Sequence, residues 1–273
     1  MFPAAGVSGG GPVPQLAALH KSVRFTPCRG SPHGTTGRNH ALVTGAASGI
    51  GRAIASAYAR EGASLFLLDR DLSRLEDTAT ACSAAGAKVG TATVDVTDAD
   101  GVRDSVEAAI EWLGAVDVLV NCAGILTEVP LVEMDVATWD EMIAVDLRSV
   151  FLTCRFTVPH MLERGTGRVI NIASQLGIKG VVGLTHYSAA KAGVIGFTKA
   201  LALEVAPHRV LVNAPLVEGI SPEWKRARQA ELPLGRFGRP EEVAPTAVLL
   251  ASDPGGNLYV GQTLGPNSGD VMP

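Results

Sequence analysis

The fold is decided by the stretch Ala41-Leu-Val-Thr-Gly45-Ala-Ala-Ser48-Gly49-Ile50-Gly51-Arg52. An apolar run enters a glycine-rich turn, and the run that leaves it places Ile54 and Tyr58 on one helical face. This pattern predicts a strand, a turn and a helix in direct succession. Gly45 allows a sharp turn, while Gly49 and Gly51 carry no side chain that would keep a ligand from the helix N-terminus. The turn is therefore predicted to bind the pyrophosphate of a dinucleotide.

A second apolar run, residues 65–68, ends in Asp69, eighteen residues after Gly51. A carboxylate at this point can accept both ribose hydroxyls of NAD. A 2′-phosphate about 4 Å away would be repelled by roughly 4 kcal/mol per unit charge at an effective dielectric of about 20. NAD is therefore the predicted cofactor. The opposing argument is Arg70, just after the strand, which can reach a 2′-phosphate and would favour NADP. The cofactor residues predicted in this region are Gly45, Ser48, Gly49, Ile50, Gly51 and Asp69.

The composition is that of a compact globular protein. Of 273 residues, 47% are apolar and 18% are charged, and the net charge at pH 7 is −4. This acidic balance gives no electrostatic reason to expect nucleic acid or an anionic membrane as a partner. No apolar run reaches the roughly 18 to 20 residues of a membrane-spanning helix. One catalytic domain is expected over residues 40–273.

Four cysteines, Cys28, Cys82, Cys122 and Cys154, lack the spacing of a metal site or of a disulfide scaffold. They are expected to be free thiols in a reducing cytosol, and no metal is expected. A cytoplasmic protein is therefore predicted.

Residues 1–39 differ from the rest of the chain, because they contain five prolines and no Asp or Glu. This segment is predicted to be disordered. A transit peptide is one explanation, and a short extension or a start assigned upstream of the true one is the preferred explanation.

From residue 40 onward, apolar runs alternate with helical patterns, which predicts a doubly wound, Rossmann-type α/β fold with one parallel sheet. Helices are expected on both faces of that sheet. The third to sixth strands and the last strand are predicted at residues 88–94, 116–120, 168–172, 210–214 and 261–265. The fourth strand runs into Asn121-Cys122-Ala123-Gly124, whose small residues suit close packing beside a flat cofactor, or simply form a turn.

A Tyr-x-x-x-Lys pattern, Tyr187 to Lys191, follows thirteen residues after Ser174. Positions i and i+4 share a helix face, so the Lys191 ammonium can lie near the phenol and near the nicotinamide ribose. A phenol titrates near pH 10, and a cation about 4 Å away is worth roughly 4 kcal/mol before desolvation. Tyr187 is therefore predicted to be a general acid or base, with Ser174 donating a hydrogen bond to the substrate oxygen.

Together with Thr44-Gly-x-x-x-Gly-x-Gly, these motifs resemble the short-chain dehydrogenase/reductase family over about residues 40–270. The resemblance is to 3-oxoacyl reductase-like and polyol or gluconate dehydrogenase-like members. It implies an NAD(P)-linked oxidoreductase that interconverts a secondary alcohol and a ketone. It also implies a homotetramer, formed through the helix that carries Val194, Phe197 and Leu201. Cofactor contacts implied further along the chain are Asp95, Val96, Asn121, Ala123, Gly124, Tyr187 and Lys191.

Asp146 stands where the family usually has Asn, which helps to hold a water molecule in a proton relay. A carboxylate accepts the same hydrogen bonds but donates none when ionised. A catalytic role in the relay and an ordinary carboxylate on a helix surface are both open interpretations.

Two other functions remain open: an NADPH-dependent carbonyl reductase, such as a 3-oxoacyl thioester reductase, and a non-catalytic nucleotide-binding scaffold. Gln175, Leu176 and Ile178 predict a partly apolar substrate cavity. The sequence leaves sugars, polyols, hydroxy acids and acyl thioesters open as substrates.

The sixth strand departs from the family pattern, because Ala214 runs directly into Pro215 without the usual Pro-Gly turn and Thr. Either the protein lacks several residues here, or a mobile segment is missing from the sequence, and the backbone around Ala214 and Pro215 is expected to be strained or broken. The chain is also expected to bind NAD but to turn over slowly, since part of the nicotinamide wall would be missing.

Overall fold

The computed structural model of the chain describes residues 39–216, 229 and 232–271. The extension predicted to be disordered, residues 1–39, lies outside the described residues apart from Asn39.

Seven strands form one sheet: β1 His40–Thr44, β2 Ser64–Asp69, β3 Val89–Thr93, β4 Val118–Asn121, β5 Gly167–Asn171, β6 Val210–Pro215 and β7 Thr263–Leu264. All neighbouring strands pair in parallel, in the order β3-β2-β1-β4-β5-β6-β7. This confirms the predicted doubly wound sheet, and the predicted strands agree with these bounds to within two residues. Strands are added to one side of β1 up to β3 and to its other side from β4 onward. Between β1 and β4, a crevice for ligands therefore opens at the carboxyl ends of the strands.

Helices cover both faces of the sheet: α1 Gly49–Arg60, α2 Leu72–Ala84, α3 Ala99–Leu113, α4 Val136–Ile143, α5 Ser149–Arg164, α6 Leu176–Lys179, α7 Thr185–Val205 and α8 Pro240–Ala251. One apolar layer includes Ile54 of α1 and Leu250 of α8. The layer on the other face includes Val106 of α3, Met161 of α5 and Val194 of α7. The sheet is therefore held between two cores, as expected for strands that are apolar on both faces.

The helical stretch that contains Asp146 is not one regular helix. A π-helical turn, Ala144–Arg148, joins α4 to α5. The wider turn buries Val145 and Asp146, and the Ser149 hydroxyl donates a hydrogen bond to the carbonyl of Val145. Such turns often occur at functional sites because they redirect one side chain within a continuous helix.

The expectation of a strained or broken backbone at Ala214 and Pro215 is wrong. Both residues belong to β6 and pair with β7. The N–H of Ala214 donates to the carbonyl of Gln262, just before β7, and that of Leu216 donates to the carbonyl of Leu264 in β7. The missing N–H of Pro215 would therefore point away from that strand. Its carbonyl accepts the N–H of Ala173 at 3.0 Å. Proline is tolerated here because it removes only one bond near a strand end.

Candidate active site

A cleft of about 670 Å³ lies at the carboxyl ends of the strands, beside the crevice between β1 and β4. Of the residues predicted to bind a cofactor, it is lined by Gly45, Ser48, Gly49, Ile50, Gly51, Asp69, Asp95, Val96, Ala123, Gly124, Tyr187 and Lys191. The predicted relay residue Asp146 also lines the cleft. The fold thus brings together segments that are more than a hundred residues apart in the sequence.

The glycine-rich turn has room for a phosphate at one of its glycines. Gly45 and Gly49 adopt positive φ values of 67° and 52°, and a Cβ on Gly49 would meet no atom within 4 Å. The side chain of Ser48 makes no capping hydrogen bond to α1. It therefore leaves the first backbone N–H groups of this helix available to a ligand in the cleft. These features fit the pyrophosphate of a dinucleotide.

Gly51 also has a packing role that the sequence did not show. A Cβ on Gly51 would overlap the carbonyl oxygen of Gly45. Its missing side chain therefore lets α1 pack closely against the turn.

Thr44 is a residue whose role the sequence did not predict. Its buried hydroxyl accepts the N–H groups of Cys122 at 3.1 Å and Ala123 at 3.2 Å. Thr44 thereby ties the end of β1 to the segment after β4. No local pattern could have revealed this, because the partners lie almost eighty residues later in the chain.

Replacing Thr44 by Val is expected to lower the free energy of unfolding by about 2 kcal/mol, because two backbone N–H groups lose their acceptor. Val keeps the size of the side chain, and Thr44→Ser, which keeps the hydroxyl, serves as the control. Denaturant unfolding measures the difference. Equal stability of the Val and Ser variants would contradict the assigned contact.

Asn121, which was predicted to contact the cofactor, points elsewhere. Its amide donates to Asn171 at 2.9 Å, and its carbonyl accepts from Thr153 at 2.6 Å. Asn171 donates in turn to Thr198 of α7 at 2.9 Å. Asn121 therefore joins β4, β5, α5 and α7 in a buried network and does not line the cleft.

Acidic residues mark the end of the cleft that suits the adenosine. The Asp69 carboxylate accepts the N–H groups of Ala47 at 3.0 Å and Asp71 at 3.1 Å, which fixes it at the rim. Bonds from the N–H and the hydroxyl of Thr97 lower the pKa of Asp95. Arg74, in the first turn of α2, lines the same region beside Arg70. The sequence did not identify Arg74 as a site residue, because helical spacing alone does not show which turn faces a cleft.

Tyr187, Lys191 and Asp146 meet at the other end of the cleft. Nζ of Lys191 lies 3.0 Å from Oδ2 of Asp146, 3.1 Å from the carbonyl oxygen of Ile172 and 5.6 Å from the centre of the Tyr187 ring. Burial opposes the charge of Lys191, but attraction by Asp146 and Tyr187 outweighs it and raises the pKa of Lys191 to about 12. The lysine is therefore a stable cation beside the phenol.

Ser174 is buried directly after Ala173, which lines the cleft. Its Oγ accepts the N–H of Leu176 at 3.1 Å, and this bond fixes the hydroxyl oxygen. Of the other residues predicted near the substrate, Leu176 and Gln175 are buried and Ile178 is exposed.

The segment after β4 is hydrogen-bonded to residues beside Tyr187 and Lys191. Ile125 donates its N–H to Oδ1 of Asp146 at 2.8 Å. Thr127 shares a hydrogen bond of 3.0 Å with His186, which directly precedes Tyr187. Sequence reasoning did not single out either Thr127 or His186.

No group of three or more potential metal ligands occurs within residues 39–216, 229 and 232–271. In that same part of the chain, no helix has both the length and the apolar character needed to cross a membrane. The described cysteines, Cys82, Cys122 and Cys154, are free thiols.

Comparison with known proteins gives the family. The family model described as short chain dehydrogenase matches residues 39–232. The 3-oxoacyl-[acyl-carrier-protein] reductase FabG of Thermotoga maritima is 38% identical over 85% of this chain and 97% of that protein. The cis-4-hydroxycyclohexanecarboxylate dehydrogenase of Sinomonas cyclohexanicum is 39% identical over 84% of this chain and 95% of that protein.

A solved structure agrees with these matches. A variant of the actinorhodin polyketide ketoreductase with NADPH superposes with a TM-score of 0.80 at 36% identity, covering 85% of this chain and 97% of that one. The chain therefore belongs to the short-chain dehydrogenase/reductase family and is an oxidoreductase that acts on CH–OH or carbonyl groups.

Proposed function

We propose that the chain is an NAD-dependent dehydrogenase that interconverts a secondary alcohol and a ketone. The observation that carries this proposal is the buried contact of Lys191 with the Tyr187 ring at one end of a cleft whose other end holds Asp69.

The residues of the chain then have separate tasks. Tyr187 takes the hydroxyl proton during alcohol oxidation, or gives it back during ketone reduction. Lys191 stabilises the phenolate, and the Ser174 hydroxyl donates a hydrogen bond to the substrate oxygen. When bound, the nicotinamide cofactor supplies the hydride acceptor or donor. The turn after β1 and Asp69 would hold its pyrophosphate and its adenosine ribose.

NAD is favoured over NADP by the charges at the rim. Asp69 is partly buried and fixed by two backbone bonds, so it cannot easily turn away from a 2′-phosphate. Arg70 and Arg74 are exposed, and exposed charges are strongly screened. The fixed carboxylate therefore outweighs the two arginines.

We expect titration of the protein to show NADH binding at least about tenfold more tightly than NADPH, a difference of about 1.4 kcal/mol. Asp69→Asn keeps the size of the side chain and removes its charge, so it should narrow this difference by strengthening NADPH binding. Tighter binding of NADPH than NADH by the wild type would overturn the assignment.

An NADPH-dependent reductase of 3-oxoacyl thioesters is the second candidate. It is supported by the names of relatives, since one is a 3-oxoacyl-[acyl-carrier-protein] reductase and a similar structure is described with NADPH. The same titration separates the two candidates.

We also propose a homotetramer, on the basis of family resemblance and the outer surface of α7. The stripe of Val194, Phe197 and Leu201 packs against the core of its own chain, with Phe197 and Leu201 partly buried. The exposed side of α7 carries Ala189, Ala192, Gly196, Ala200 and Leu203. A cytoplasmic location stays a prediction that rests on the thiols.

A further inference from the structure

The two carboxylate oxygens of Asp146 face different partners. Oδ1 accepts the N–H of Ile125 at 2.8 Å, and Oδ2 lies 3.0 Å from Nζ of Lys191. Asp146 is 1% exposed and Lys191 is 6% exposed. Because little water screens this pair, its charges influence their surroundings more than a surface pair would.

An asparagine could not make both contacts. With its oxygen facing Ile125, its NH₂ group would face the ammonium of Lys191, donor against donor. The carboxylate instead forms an ion pair with the Lys191 ammonium, and the carbonyl of Ile172 accepts one of its three N–H donors. The remaining N–H donors of Lys191 are left for Asp146 and for the cleft.

We propose that Asp146 is a positioning residue that anchors Lys191 and cancels much of its positive charge, and that it thereby sets the pH range in which Tyr187 exchanges its proton. The inference rests on the proposed function, in which Tyr187 is the general acid or base. It gives Asp146 an electrostatic task in place of a task in a water relay.

Among the residues that the structure describes, the other ionisable groups near this pair are neutral at neutral pH or lie at the far end of the cleft. Burial raises the pKa of the Cys122 thiol to about 12, so it stays protonated. Burial lowers the pKa of His186 more than Asp146 raises it, so the imidazole is neutral. Asp69 stands at the adenosine end. Within the described part of the chain, Asp146 is therefore the anion in direct contact with Lys191.

The test titrates the ultraviolet absorbance of tyrosinate in the protein without cofactor, in the wild type and in Asp146→Asn. The chain has three tyrosines, and burial raises the pKa of Tyr58 beyond the titrated range. Tyr187→Phe then separates the signal of Tyr187 from that of Tyr259.

We expect the first proton of the coupled Tyr187–Lys191 pair to leave about one pH unit lower in Asp146→Asn. A unit charge about 8 Å away at an effective dielectric of about 20 shifts a pKa by roughly 1.5 units before solvent screening. The acid limb of kcat/KM for alcohol oxidation should move by the same amount.

Asp117→Asn is the matched control. Asp117 forms an ion pair of 2.8 Å with Arg164 at the opposite end of β4, so its loss should leave the titration of Tyr187 unchanged. Asp146→Ser removes the same charge with a smaller side chain and replaces the Asn variant if that variant does not fold, with the same shift expected.

A titration of the Asp146 variant that superimposes on the wild type, or that moves to higher pH, would overturn the proposal. Failure of the wild type to turn over any alcohol or ketone would instead contradict the proposed function. The two outcomes are distinguishable because the tyrosinate signal does not depend on turnover.

Discussion

Replacing Tyr187 by Phe is expected to lower kcat by about a thousandfold, which is the size of effect that a positioned general acid or base has on a proton transfer. The change removes one oxygen and keeps a ring that is 4% exposed, so the fold should be retained. NAD affinity should change by less than about tenfold, because the turn after β1 and Asp69 are untouched.

The control for this variant is Tyr259→Phe, which removes a phenol outside the cleft-lining residues. Steady-state rates and NAD titrations of both variants separate chemistry from binding. If Tyr187→Phe turned over as fast as Tyr259→Phe, Tyr187 would not be the proton partner, and a non-catalytic scaffold would become the better account of the cleft.

Gly51→Ala is expected to have the second-largest effect, because its methyl group would overlap the carbonyl oxygen of Gly45. Overpacking against backbone typically lowers the free energy of unfolding by about 3 kcal/mol. Displacing the turn should also remove charge-assisted hydrogen bonds to the pyrophosphate and weaken NAD binding by about a hundredfold.

The matched control is Gly238→Ala, outside the cleft-lining residues, where a Cβ would meet no atom within 4 Å. Replacing an unstrained glycine by alanine lowers the conformational entropy of the unfolded chain, so this variant should be at least as stable as the wild type. Chemical unfolding and NAD titration test both changes. Normal stability and NAD affinity in Gly51→Ala would show that the turn has room for a side chain.

Local sequence patterns were sufficient for the sheet and for the cleft. Apolar runs bounded by turns predicted the strands, and because parallel strands end at one edge, the residues after them had to meet there. Asp69 and Lys191 therefore lie in one cleft, as expected. These predictions succeeded because each depends on the spacing of residues within a single strand or helix and the turn beside it.

Contacts between distant segments could not be predicted in the same way. The direction of the Asn121 side chain depends on Asn171 and Thr153, and the contact of Asp146 with Lys191 depends on a π-helical turn that no periodicity revealed. Pro215 was misjudged because its strand partners could not be known from the sequence.

Slow turnover stays a prediction, although the strained or broken backbone that was expected together with it was not found. The paired backbone of Ala214 and Pro215 removes strain as a reason for a low rate. The prediction of slow turnover now rests on the missing Pro-Gly turn and Thr after the sixth strand.

Hydride transfer can be followed directly with secondary alcohols deuterated at the carbinol carbon, drawn from polyols, hydroxy acids and 3-hydroxyacyl thioesters. Mass spectrometry of the cofactor is suitable because label accumulates even when turnover is slow. We expect deuterium from at least one alcohol class to enter NADH with the wild type and to be almost absent with Tyr187→Phe. Label that enters neither NADH nor NADPH from any class, or that enters equally with Tyr187→Phe, would contradict the proposed dehydrogenase.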